Sequence, residues 1–229
     1  MDRQPTYVSV DVLALRYNPE LRRVELATAV RRHEPYRGQL ALPGVTLLEG
    51  ERLDAAAART VASKLGFGVR AQGQLAVFDE PHRDPRGYTL SVVMWAVIED
   101  DAAAEAELAA DEEREGAGQS VVRWHTFGDV PALVFDHNTM INVCWPLLAD
   151  KLWRDLAFTR ALTGETFPVS AAVALTQSLT GASPDRGNLN RRLASVRGLG
   201  VTDQRVAVGR GRPGTMWAWQ DADMPAASA

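Results

Sequence analysis

Leu42-Pro43-Gly44-Val45-Thr46-Leu47-Leu48-Glu49-Gly50-Glu51, an Ala-rich run through Arg59, and Leu65-Gly66-Phe67 form the stretch on which the reading of this chain turns. Leu53, Ala57, Val61 and Leu65 recur at four-residue steps, which predicts an amphipathic helix over 52–65 with those residues on its buried stripe. Thr60, Ser63 and Lys64 lie three and four residues apart, so on a helix they share one face.

Aligned without gaps, this stretch resembles the Nudix box, whose pattern is G-x5-E-x7-R-E-U-x-E-E-x-G-U with U a bulky apolar residue. Glu51, Arg59, Val61, Gly66 and Phe67 match. Val45 stands at the leading glycine, and Thr60, Ser63 and Lys64 stand at the three helix glutamates. The box uses carboxylates to hold Mg²⁺, a hard cation that wants oxygen ligands in near-octahedral array. Two hydroxyls and an ammonium do not supply that charge, and Glu51 alone does not hold the ion tightly. The expectation is therefore no metal site, no catalytic residue and no useful diphosphate hydrolysis. The resemblance implies an α+β chain opening with a Nudix α/β/α sandwich around a mixed sheet.

The chain has 229 residues, 46% hydrophobic and 24% charged, which suits one large or two modest domains. No apolar run approaches the roughly 18 residues needed to span a bilayer, and Met1-Asp2-Arg3-Gln4-Pro5 does not read as a signal peptide. Cys144 is the one cysteine, which excludes an intrachain disulfide and fits a cytoplasmic setting. His33, His82, His125 and His137 show no metal-ligand spacing, and no cofactor is expected. The net charge of −4 hides an asymmetry. Residues 1–149 carry 15 basic and 22 acidic groups, whereas 150–229 carry 10 and 7. The basic surplus is concentrated in 183–214, with seven Arg and two Asp, which points to a polyanionic partner for the rear.

Alternation and β-branched residues predict strands at Tyr7–Leu15, Val24–Val30, Gly73–Phe78, Tyr88–Ile98 and Val121–Phe127. Residues 100–118 read as a solvated insertion. Asp136 is placed to cap a helix from His137 to about Leu156. Beyond Ala157 the texture changes, giving domains 1–156 and 157–229. A helix from Ser170 through Leu179 is closed by Gly181, and Ser183 or Asp185 opens a second carrying Leu189, Leu193 and Val196 on one stripe. A hairpin over Val206–Trp219 follows. Helix, turn, basic helix and hairpin is the order of a winged helix-turn-helix.

On that second helix Arg186, Asn188, Asn190, Arg191, Arg192 and Arg197 are candidates for contact with duplex DNA, and Arg210 and Arg212 extend them at the hairpin tip. Arg and Asn suit guanine and adenine edges in the major groove, and arginines at a tip suit a narrow minor groove.

Further stretches resemble the NrtR-type Nudix-related transcriptional regulators. They are Arg31-Arg32 through Gly38, Arg83-Asp84-Pro85-Arg86-Gly87 with Ser91-Val92-Val93, and Phe135-Asp136-His137. Phe167, Asn188, Arg191, Arg192, Leu193 and Arg212-Pro213 follow in family order, and Trp217 or Trp219 stands where a tyrosine is usual. The resemblance implies a homodimeric repressor of NAD-metabolism or related genes that binds operator DNA and senses ADP-ribose or a similar nucleotide. With Mg²⁺ absent a diphosphate needs cations, so Arg32, Arg37, Arg59, Lys64, Arg83 and Arg86, with Glu51 in the box loop, are the candidate effector-binding residues. A structural role stands beside each: Arg59 pairing Glu51 to brace the loop, Arg86 holding a turn. The alternatives are a Nudix hydrolase of ADP-ribose-like diphosphates, against which positions 60, 63 and 64 count, and a nucleotide-binding module whose rear contacts protein.

Overall fold

The structure, a computed structural model, describes residues 6–99, 121–206 and 214–220. The chain divides into two compact units, Met1–Arg16 with Glu25–Leu147 and Tyr17–Val24 with Leu148–Ala229. Sequence texture predicts a boundary after residue 156; the compact units divide after Leu147, and the second also takes in Tyr17–Val24. The Val24 N–H donates to Ser178 Oγ at 3.2 Å. A partner so far along the chain leaves no local signal in the sequence.

The first unit is built on a mixed sheet of β1 (Tyr7–Asn18), β2 (Arg23–Val30), β3 (Leu40–Ala41), β4 (Gly44–Thr46), β5 (Val69–Phe78), β6 (Thr89–Ile98) and β7 (Val122–His125). Its order is β3-β2-β1-β6-β5, with β4 paired to β1 and β7 to β2. β1 and β6 run parallel in the middle, Val10 opposite Val92 and Val12 opposite Met94. The helix α1 (Leu53–Leu65) buries Ala56, Ala57, Val61 and Leu65 against Val10, Val12 and Met94. Alternate residues such as Leu13, Leu15 and Trp95 are buried as well. Both faces of the central strands are therefore covered, which is why they read as continuous apolar runs. α1 ends where Gly66 adopts φ 79°, a left-handed cap that glycine takes without steric cost.

The helix α2 (His137–Lys151) is shorter than the periodicity predicts. Trp153 stands at φ 64°, and Asp155 caps a new helix, α3 (Leu156–Thr163), by accepting the Phe158 N–H. An apolar pattern that continues through a break does not reveal it. α2 opens just after Asp136, whose carbonyl accepts the Met140 N–H and whose carboxylate accepts two bonds from Arg83. The strand predicted to Phe127 stops at His125, and Phe127 enters a 3-10 turn with Trp145 packed on its ring at 3.9 Å.

In the second unit α3 leads through β8 (Thr166–Pro168) to α4 (Val169–Thr180), α5 (Arg186–Ala194), β9 (Leu199–Val206) and β10 (Gly214–Trp219). The three strands form an antiparallel sheet in the order β8-β10-β9. This is the winged helix-turn-helix order, with one strand, β8, and one helix, α3, more than the sequence reveals. Phe158, Phe167, Leu175, Leu179 and Leu193 form its buried interior. Trp153 belongs to it too, stacked on Phe167 and donating its indole N–H to Thr176 Oγ1 at 3.0 Å. Arg210, Arg212 and the predicted insertion over 100–118 lie outside the described residues.

Candidate functional site

The first unit holds a cavity of about 400 Å³, within the range of roughly 300–1,000 Å³ usual for small-molecule sites. Its walls come from β1, the β2–β3 connection, the approach to α1, the 83–86 turn and the start of α2. Six cations line it, Arg31, Arg32, Arg59, Lys64, Arg83 and Arg86, against three carboxylates, Asp11, Glu34 and Asp84. The surplus of positive charge suits an anionic ligand such as a diphosphate diester.

The floor is an ordered polar network. Asp11 interrupts the apolar pattern of β1 and is buried there, accepting a 2.5 Å bond from Ser91 Oγ and a 3.3 Å bond from Ser9 Oγ. Arg83, whose side chain is 3% exposed, pairs with both carboxylate oxygens of Asp136 at 2.9 and 3.0 Å and lies 3.7 Å from Asp11. His137 Nδ1 accepts the Leu42 N–H at 2.9 Å, so the ring proton sits on Nε2, 3.8 Å from Asp11. Burial, followed by the opposing pull of Asp11 and Asp136, leaves the His137 pKa below its ordinary value, so the ring is neutral in the folded chain. Gly44 is needed at this floor: a Cβ there would come within 2.1 Å of Asp11 Oδ1.

The rim is more exposed. Arg86 clamps Asp84 at 2.6 Å, a pairing that depresses the Asp84 pKa against its burial, yet half of the Arg86 side chain faces solvent. The Arg31 guanidinium lies 4.7 Å over the Phe135 ring and donates to the Pro35 carbonyl at 2.8 Å. Burial, then the neighbouring Arg86, lowers its pKa. Phe135 also meets Tyr36 edge-on at 5.0 Å, so an aromatic wall stands beside the cations.

On α1 the former ligand positions 60, 63 and 64 lie three and four residues apart as expected, but their surroundings differ. Thr60 is fully buried with its hydroxyl donating to the Ala56 carbonyl at 2.7 Å, a back-bond that occupies it. Ser63 is exposed, and only Lys64 of the three lines the cavity. Arg59 grips Glu51 through two bonds of 2.7 and 2.8 Å and donates to the Thr46 carbonyl at 3.1 Å. That grip, aided by the Leu48 N–H, holds the Glu51 carboxyl down at about 2. The residues at this place therefore do not fit the divalent cation that the box implies. Among the described residues no group of three His, Cys, Asp or Glu side chains could hold a metal ion.

Of the residues predicted for an effector, Arg32, Arg59, Lys64, Arg83 and Arg86 are thus brought together, whereas Arg37 and Glu51 lie outside the cavity lining. Asp11, Arg31, Phe135 and His137 line it without having been predicted as site residues. A lone aspartate in an apolar strand was the signal for Asp11, and Phe135-Asp136-His137 had stood out only as a family likeness.

In the second unit α5 is capped by Asp185, which accepts the Asn188 N–H at 2.8 Å. Leu189, Leu193 and Val196 are buried as the stripe predicts, and Arg186, Asn188, Asn190, Arg191, Arg192 and Arg197 are exposed. Arg191 donates to Asn188 Oδ1. Arg192 instead reaches back to the Leu152 carbonyl at 3.1 Å.

No protein-family model matches the chain. An ADP-ribose pyrophosphatase of Methanocaldococcus jannaschii is 31% identical over 112 residues, 49% of this chain and 60% of that protein, so the chain spans under two thirds of that relative. The ADPR responsive transcriptional repressor NtrR of Acinetobacter baylyi is 26% identical over 199 residues, 84% of this chain and 75% of that protein. The structure of Shewanella oneidensis NrtR complexed with a 27mer DNA superposes with TM-score 0.73 at 23% identity, covering 93% of each chain. The NUDIX domain of that protein, complexed with ADP ribose, superposes with TM-score 0.52 at 24% identity over 64% of this chain and 90% of its own. The fold is therefore NrtR-like, with a Nudix-related first unit.

Proposed function

We propose that this NrtR-like chain is a ligand-responsive transcriptional repressor: the winged-helix unit binds operator DNA, and the Nudix-related cavity senses ADP-ribose or a similar nucleotide. The cavity's cationic lining carries the reading. A diphosphate in a site without Mg²⁺ needs fixed cations, and Arg32, Arg86 and Lys64 stand at its rim while Arg83 is locked into the floor. The relatives agree with this division, one being described as ADPR responsive and the matching structures holding DNA and ADP ribose. Domains, site residues, a homodimeric state and a cytoplasmic setting belong to the same proposal, as does repression of NAD-metabolism or related genes.

Hydrolysis is not part of it. An in-line displacement needs a metal or a base to generate the attacking oxygen. Thr60 is turned onto its own helix, Lys64 brings a cation, and Glu51 is tied to Arg59. The ADP-ribose pyrophosphatase among the relatives favours the same ligand class. Calorimetric titration of the full chain with ADP-ribose, in EDTA and again with Mg²⁺, tests the cavity. The account predicts binding of similar affinity in both and no release of AMP; binding that requires Mg²⁺, or turnover at enzyme rates, contradicts it.

A further inference from the structure

We infer that Arg191 is the base-reading arginine of α5 and that Arg192, its neighbour, is a bracket that fixes the helix in its own unit; this rests on the DNA-binding reading above. At 3.6 residues per turn, Arg191 lies roughly 200° around the helix from buried Leu189 and from buried Leu193, at the middle of the outward face. One turn before it on that face is Gly187 and three residues after it is Ala194, both exposed and small. Arg191 is therefore the single long side chain along the centre of that face, and nothing bulky keeps the helix axis away from a groove floor. Asn188, one turn back, accepts from the Arg191 guanidinium through Oδ1. That bond restrains the arginine, a geometry suited to the paired O6 and N7 acceptors of a guanine. It also leaves the Asn188 amide donors for a neighbouring acceptor.

Arg192 sits about 100° further round, toward the buried side. Its guanidinium donates to the Leu152 carbonyl, the residue just past the end of α2, where a cation also complements the helix dipole. The two adjacent arginines, alike in sequence, thus have separate tasks. One needs a planar two-donor fork, whereas the other needs only a donor and a charge.

Arginine-to-lysine changes separate these demands while keeping the charge that attracts phosphates. The full chain, as wild type, Arg191→Lys and Arg192→Lys, is incubated with a pool of duplexes carrying a randomised central segment at fixed salt, and the bound DNA is sequenced. The expected result is a motif for the wild type, loss of a guanine preference by about 5- to 150-fold at one position of each half-site for Arg191→Lys, and an unchanged motif for Arg192→Lys. Arg192→Ala keeps the motif and lowers the melting temperature. An unchanged motif for Arg191→Lys, or guanine preference lost with Arg192→Lys, overturns the assignment and leaves the repressor reading standing. If the wild type enriches no motif, both fail together.

Discussion

At the scale of single residues, the buried histidine at the cavity floor has the clearest consequence. His137 is held neutral by burial and by accepting the Leu42 N–H, so its folded pKa lies below the unfolded value of 6.5. The unfolded chain then takes up the proton first as the pH falls, and the stability that the neutral ring contributes is full above about 6.5 and lost on acidification through the folded pKa. His125 is lowered too, first by burial and then by Arg123, and adds in the same direction. Urea unfolding should show a lower midpoint at pH 5.5 than at 7.5, and the difference should shrink in His137→Asn. A midpoint that rises on acidification would contradict the assignment of a neutral ring. Much of this floor was hidden in the sequence, because Asp11, Arg83, Asp136 and His137 come from three separate segments. Only the tertiary fold makes their charges meet. Cys144, by contrast, lies within the apolar run Met140 to Leu148 and is buried, which pushes its thiol up to about 11.

At the scale of elements, periodic patterns carried well and breaks did not. α1, α4 and α5 lie where the apolar stripes place them; α1 and α4 end at the left-handed glycines Gly66 and Gly181, whereas α5 stops at Ala194, short of Val196. α3 escaped because the apolar pattern of α2 runs into it without a glycine or proline at the junction, and β8 is only three residues long. The cap of α5 offers a direct test. Asp185 satisfies an otherwise unpaired N–H at the start of a helix of nine residues. Asp185→Ala should destabilise the second unit by about 1 kcal/mol and weaken DNA binding by loosening the helix that carries Arg191. Asp185→Asn, which keeps the accepting oxygen, should restore most of both in melting and binding measurements. Equal loss for Ala and Asn would show that the carboxylate charge, not the cap, matters there.

At the scale of the whole molecule, the account joins a basic nucleotide cavity in one unit to an exposed arginine helix in the other. The charge asymmetry of the sequence pointed to the second, while the cavity's cations come from separate segments that only the fold assembles. An effector alters DNA affinity only by favouring one conformation over another, and the coupling is reciprocal. DNA should therefore weaken ADP-ribose binding by the same factor by which ADP-ribose weakens DNA binding. No described helix is long and apolar enough to cross a membrane. The measurement that tests the central claim most directly is fluorescence anisotropy of the full chain on duplex DNA from upstream of its own gene, at fixed salt, titrated with ADP-ribose in EDTA. The account predicts sequence-specific binding that ADP-ribose weakens by roughly 5- to 150-fold. Binding no tighter than to random duplex, or specific binding that saturating ADP-ribose leaves unchanged, would contradict it.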